Sequence, residues 1–75
     1  MSQVVPLEYL SVGQTGQIAD IEGQPELVGR LNEIGVSVGK LLRIVRSGSP
    51  CIVAIGDQRL SFRGEQAAAI FVECQ

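Results

Sequence analysis

The chain has 75 residues, enough for one domain with a single core, and 45% of them are hydrophobic. Its formal net charge of −2 argues against nucleic-acid binding, because such proteins normally carry a basic patch that displaces counterions from phosphates. No histidine is present, which excludes a Ser–His–Asp or Cys–His catalytic device and the commonest ligand of zinc and iron.

The first part of the chain predicts a helical turn and then a strand. Pro6 is suited to start a turn that directs Leu7 and Leu10 inward. The two glycines of "GQTG" are predicted to flank a turn. The segment "TGQIADIEG" reads as a strand with Ile18 and Ile21 as apolar anchors, and their odd spacing indicates a bulge.

A helix is predicted to begin at Pro25, a residue favoured at the first helical position. Its apolar face consists of Leu27, Val28, Leu31 and Ile34. Gly35 is expected to end the helix in a left-handed conformation, with Val36 placed for the hydrophobic contact of a Schellman motif.

The segment "GVSVGKL" superficially resembles a phosphate-binding loop. Only three residues separate Gly35 from Gly39, however, and Lys40 is followed by Leu41 rather than by a metal-ligating hydroxyl. The predicted order, helix and then strand, is also the reverse of a P-loop. The glycines are therefore interpreted as backbone turns, Gly39 bending the chain into the next strand.

Four more strands are predicted, "KLLRIVRS", "CIVAI", "RLSFR" and "IFVE", with turns at "SGSP" and "GDQ" and a helical turn at "GEQAAA". In the first of these, Leu42 and Ile44 share one face, and Leu41 and Arg43 share the other. With the earlier strand this makes five. The pattern predicts an all-β fold with one short inserted helix, arranged as a partly open five-stranded barrel.

Few residues point to a chemical site. Asp20, Glu22 and Glu26 could hold a hard cation, but acids at a turn and a helix start have structural reasons to be there. Cys51 and Cys74 are interpreted as small apolar residues. The alternative is that they form a disulfide or share a metal site. We expect no catalytic residues, no metal site, no cofactor and no enzyme activity.

Two surface features leave alternatives open. The polar helix side with Arg30 and Glu33 reads either as a solvated face or as a docking surface. The second feature is a basic cluster, which is either a solvated sheet face or an anion site. It comprises Arg43, Arg46, Arg59 and Arg63. An RNA- or DNA-binding barrel would need exposed stacking aromatics, for which only Tyr9 is a candidate.

Glycines and aliphatic residues recur along the chain in a series of short motifs. The first motif, "L-x-x-L-x-x-G-x-x-G-x-I", comprises Leu7, Leu10, Gly13, Gly16 and Ile18. The second, "R-L-x-E-x-G-x-x-x-G", comprises Arg30, Leu31, Glu33, Gly35 and Gly39. "G-x-P" at Gly48 and Pro50 follows, and then Gly56 ahead of "RLSFRGEQAAAI". The joint order of these motifs resembles the FeoA family of small proteins of the bacterial ferrous iron transport system. The resemblance extends from Leu7 to Val72.

This resemblance implies an SH3-like barrel and a non-enzymatic accessory role beside FeoB, a membrane ferrous-iron permease with a cytosolic GTP-hydrolysing domain. The alternative is a free-standing SH3-like regulatory domain, related to the C-terminal domain of iron-dependent transcriptional repressors. "MSQVVPLEYL" lacks the basic region and apolar run of a signal peptide, and no transmembrane segment is evident. We expect a single domain over residues 1–75 that is cytoplasmic, not membrane-inserted and without nucleic-acid partners.

The helix face and the "GVSVGK" turn are predicted to contact the transporter, because they form the only insertion into a minimal barrel. The predicted partner-binding residues are Arg30, Glu33, Val36, Val38 and Lys40. The chain departs from the family pattern at Val38, Ala68 and Ala69, where members often carry proline or charged residues. Together with Val36, these three are expected to form an exposed apolar patch for a partner or for self-association.

Overall fold

The computed structural model describes residues 3–74, so residues 1, 2 and 75 of the predicted domain lie outside the described residues. Within that range, six strands, two short α-helices and one 3₁₀ turn follow one another along the chain. They are β1 (Val4–Pro6), a 3₁₀ turn (Leu7–Tyr9), β2 (Thr15–Ile21), α1 (Pro25–Glu33), β3 (Leu41–Arg46), β4 (Cys51–Ile55), β5 (Gln58–Phe62), α2 (Glu65–Ala69) and β6 (Ile70–Cys74).

All six strands belong to one antiparallel sheet with the order β1-β6-β2-β3-β4-β5. The two outermost strands do not pair with each other, so the barrel is partly open, as predicted. The predicted strands are all present, and β1 is the addition that makes six. Its three residues pair with the far end of the chain, Val4 opposite Glu73. Such a short, long-range pairing has no local sequence signal.

The path of β2 confirms one prediction and corrects another. Its register against β6 shifts between Ile18 and Asp20, which confirms the predicted irregularity. Gly16, predicted to flank a turn, lies inside β2 and is buried. A Cβ atom there would collide with the Val72 side chain and lie 2.8 Å from the Glu73 carbonyl oxygen. Glycine at this position therefore permits the close approach of β2 and β6.

Both ends of α1 follow from local chemistry. Pro25 occupies the start of the helix, where its missing N–H group costs nothing. After the last turn Gly35 has φ of 101°, and its N–H donates to the Asn32 carbonyl over 3.1 Å. The Val36 N–H donates to the Leu31 carbonyl over 2.8 Å. These two bonds are those of a Schellman motif, which confirms the predicted helix end.

The core is aliphatic and lies between the inner face of the sheet, α1, α2 and the 3₁₀ turn. The predicted face of β3 is confirmed, since Leu42 and Ile44 are buried while Leu41 and Arg43 are exposed. The other core positions include Leu7, Leu10, Ile18, Leu31, Val36, Cys51, Val53, Phe62, Ile70 and Val72. Among residues 3–74 no polar or charged residue is buried, so hydrophobic burial is the principal stabilising contribution.

Candidate partner-binding surface

Two of the predicted contact residues lie on the exposed side of α1. Arg30 and Glu33 are three positions apart, which makes them neighbours on the helix surface. Within the described part of the chain, neither side chain has a hydrogen bond or an ion pair. Both groups are therefore available to a partner without first breaking an internal interaction.

The segment after this helix, residues 34–40, is here called the α1–β3 loop. It is held against β2 by backbone hydrogen bonds of 2.8 Å, from the Gly39 N–H to the Ile18 carbonyl and from the Ile18 N–H to the Lys40 carbonyl. The Gln17 side-chain amide also donates to the Gly39 carbonyl over 3.1 Å. Because the loop is fastened along β2, a partner would meet it already ordered, which reduces the entropy lost on binding.

The structure separates the predicted residues of this loop into an outward and an inward group. Val38 is 62% exposed and Lys40 is exposed. Val36 is fully buried, with 0% exposure, because the Schellman hydrogen bond directs it into the core beside Leu31. The prediction that Val36 is exposed for partner contact is wrong.

The expected apolar patch is corrected in the same way. Ala68 is exposed, but Ala69 is buried together with Val36, so only two of the four predicted members reach the surface. Ala68 lines a depression with Leu27 and with residues 22–24, at the start of α1. It therefore belongs to a different part of the surface from the depression beside the α1–β3 loop.

An exposed apolar residue outside the predicted set lies beside the loop. Leu41, at the start of β3, is 59% exposed on the outer face of the sheet. It lies between two depressions, of about 620 Å³ and about 420 Å³, which share Leu41 and Gly56 as lining residues. The larger one separates the α1–β3 loop from the β4–β5 turn. The signal was present in the sequence, since Leu41 shares a strand face with Arg43.

Across the described range, the acidic residues and cysteines considered for a metal site or a disulfide form neither. In residues 3–74, no three His, Cys, Asp or Glu side chains come together in a group that could hold a metal ion. The Asp20 carboxylate accepts a hydrogen bond from the Ile21 N–H over 2.9 Å. Cys51 and Cys74 are free thiols, and burial in the core raises the pKa of the Cys51 thiol. None of the helices in the described part of the chain has the length and apolar character of a membrane span.

Comparison with protein-family models matches the FeoA domain to residues 5–74, nearly the full length of the sequence. The chain belongs to the FeoA family. This agrees with the order of glycines and aliphatic residues from Leu7 to Val72. A comparison with curated proteins gave no significant match.

Solved structures show how widely this fold recurs. A crystal structure of an iron uptake regulatory protein (FeoA) is 24% identical with a TM-score of 0.90, the match covering 97% of this chain and 100% of that one. A manganese-dependent transcriptional repressor is also 24% identical with a TM-score of 0.90, but this chain spans only 44% of its length. FeoA from Stenotrophomonas maltophilia, complexed with zinc and described as an SH3 domain protein, is 23% identical with a TM-score of 0.76, covering 96% and 88% of the two chains. The predicted SH3-like fold is confirmed.

Proposed function

We propose that this FeoA domain is a non-enzymatic accessory and regulatory protein of ferrous iron uptake. It acts in the cytoplasm by contact with the cytosolic part of a FeoB-like ferrous iron permease. Support comes from the family match over residues 5–74 and from the likeness to a protein described as an iron uptake regulator. In this proposal the domain supplies a shaped surface rather than a reacting group.

The observation that carries the proposal is the exposed apolar surface of the α1–β3 loop and its margin. Val38 and Leu41 are each more than half exposed, on a segment whose backbone is held to β2. Large apolar side chains on an ordered loop, rimmed by Arg30, Glu33 and Lys40, match the composition of a small interface with an apolar centre and a charged rim.

The test is calorimetric titration of this protein into the purified cytosolic GTP-binding domain of the same organism's FeoB, with and without nucleotide. Saturable binding is expected. The variant Val38→Asp should weaken it at least tenfold, because it places an unpaired charge in the apolar centre of the interface. Arg30→Ala with Glu33→Ala should weaken it by a smaller factor, because rim charges contribute less.

Val12→Asp is the matched control, because Val12 is 61% exposed and lies in the loop before β2. It introduces the same side chain at nearly the same exposure, so its affinity should equal that of the unmodified protein. Equal losses from both aspartates would contradict the assignment to the α1–β3 loop. If neither the GTP-binding domain nor the full-length permease in detergent gave a heat of binding, the proposed function would be overturned.

The likeness to the manganese-dependent repressor favours a second candidate, a free-standing SH3-like regulatory domain acting in trans on such a repressor. The same titration with the organism's own metal-dependent repressor in place of FeoB separates the two. Binding to the repressor alone would replace the first proposal by this one.

A further inference from the structure

Four of the six basic residues in the chain lie on one surface, the outer side of β3, β4 and β5. Arg43 and Arg46 belong to β3, Arg59 belongs to β5, and Arg63 directly follows β5. All four are exposed. None of the eight acidic residues lies within these three strands. This set of four arginines, here called the arginine face, is a concentrated positive surface on a chain whose net charge is negative.

The strand register arranges these charges in a defined pattern. Arg43 is paired with Ala54 on β4, and Ala54 is paired with Arg59 on β5. The two arginines thus flank a small side chain, with Cα atoms about 10 Å apart across two strand spacings. Along β5, Arg59 and Ser61 point to the same outer side at alternate positions, and the exposed Arg63 directly follows the strand. Within residues 3–74, the four guanidinium groups make no ion pair.

The same strand forms an open edge of the sheet. β5 is the last strand in the sheet order, and among residues 3–74 it pairs only with β4. The β4–β5 turn has two residues, with φ of 58° at Gly56, so Ile55 and Gln58 form the first hydrogen-bonded pair of the hairpin. Antiparallel pairing alternates, so the backbone N–H and C=O groups of Arg59 and Ser61 point away from β4. In the described residues these four groups have no partner.

We propose that the β5 edge and the arginine face together bind an extended acidic segment of a partner protein, added as an antiparallel strand beside β5. Main-chain hydrogen bonds to Arg59 and Ser61 would give affinity, as in other strand-addition complexes. Carboxylates at alternate positions of the added strand would lie opposite Arg59 and Ser61 on the outer side, with Arg43 on β3 and Arg63 just beyond the end of β5. This surface adjoins the contact proposed above at Leu41, which shares the outer face of β3 with Arg43, and extends beyond that contact to the β5 edge.

The charges determine which strand is accepted. Arginine on an edge strand repels another basic strand, including the β5 edge of a second copy, which would bring like charges together. The same arginines attract a strand whose outward residues are acidic. The arginine face therefore excludes self-pairing at this edge and selects an acidic occupant by charge complementarity.

The probe is the peptide fluorescein-(Glu-Thr)₄-amide, and its binding is followed by fluorescence anisotropy and by the amide NMR signals of the protein. Saturable binding is expected, with the largest shifts and new exchange protection at Arg59 and Ser61. The variant Arg43→Glu with Arg59→Glu should weaken binding at least tenfold. Arg30→Glu with Lys40→Glu makes the same change in net charge elsewhere and should weaken it less than twofold.

Backbone methylation of the peptide tests the strand geometry independently of charge. In an antiparallel addition, the glutamate opposite Arg59 exchanges both hydrogen bonds with it. N-methylation of the glutamates should therefore abolish binding, whereas N-methylation of the threonines should leave it unchanged.

Three results would overturn the proposal: equal affinity for both methylated peptides, equal loss in the two double variants, or equally tight binding of single-stranded DNA of the same charge. Each would reduce the arginine face to a general anion attractor. If the double charge reversal melts at a much lower temperature than the unmodified protein, Arg59→Gln replaces it, with at least a threefold loss expected.

Discussion

Replacing Gly16 by alanine should destabilise the protein, although it adds only one methyl group. The new Cβ would lie 2.8 Å from the Glu73 carbonyl oxygen and closer still to the Val72 side chain. β6 cannot retreat easily, because it is paired with β1 on one side and β2 on the other. Overpacking of this kind costs about 2 kcal/mol. The reduced freedom of the unfolded chain offsets about 0.5 kcal/mol of this, which leaves a net loss of about 1.5 kcal/mol.

Thermal unfolding followed by circular dichroism measures this change. For a domain of this size the expected fall in Tm is roughly 6–12 °C. Gly29→Ala is the matched control, since Gly29 lies in α1 and an added Cβ there meets nothing within 4 Å. It should raise stability by roughly 0.5–1 kcal/mol, because alanine favours a helix interior. If Gly16→Ala melts at or above the temperature of the unmodified protein while Gly29→Ala behaves as expected, the close approach of β2 and β6 is wrong.

Three further predictions concern the helix end, the loop and the buried thiol. Gly35→Ala should lose about 1–2 kcal/mol in urea unfolding, because φ of 101° strains any side chain, and unchanged stability would contradict that backbone conformation. Val36→Ala should lower the free energy of unfolding by about 2 kcal/mol, because it leaves a cavity in the core. Val38→Ala should change it by less than about 0.5 kcal/mol, because Val38 is exposed. Similar losses at both positions would contradict the burial of Val36 and the exposure of Val38. Because burial raises the pKa of the Cys51 thiol above its ordinary value of 9.0, the unfolded chain releases this proton at lower pH than the folded chain. Stability should therefore fall as pH rises above 9, by at most about 1.4 kcal/mol per pH unit, and Cys51→Ala should remove this contribution from the slope.

The parts of the fold that were predictable from sequence are those determined by neighbouring residues. Pro25 and Gly35 mark the ends of α1 through backbone chemistry that acts within one helical turn. The alternation in β3 identified its inner residues for the same reason. The bulge in β2 was visible because two apolar anchors fell at odd spacing. In each case the cause and its structural effect lie within a few positions of each other.

The features that were not predicted from sequence depend on residues that are far apart in the chain. β1 exists only because Val4 pairs with Glu73 at the other end of the chain, and no local pattern encodes this pairing. Gly16 looked like a turn residue, because its neighbour across the sheet was not visible in the sequence.

Val36 was predicted both to make the hydrophobic contact of a Schellman motif and to belong to an exposed patch, and these two predictions are incompatible. The local hydrogen bond to Leu31 decided between them. For the candidate surface, the sequence indicated correctly that Val38 is exposed, but it missed the exposed Leu41 and wrongly included the buried Val36.

The pairing of β1 with β6 places the first and last strands along the chain side by side. A short linker joining them would disturb no core contact, so the fold should tolerate circular permutation, with new termini opened at the exposed β4–β5 turn. The same adjacency allows such a unit to be attached within a longer polypeptide through neighbouring entry and exit points. It offers a geometric reason why this architecture also occurs as less than half of a larger repressor chain.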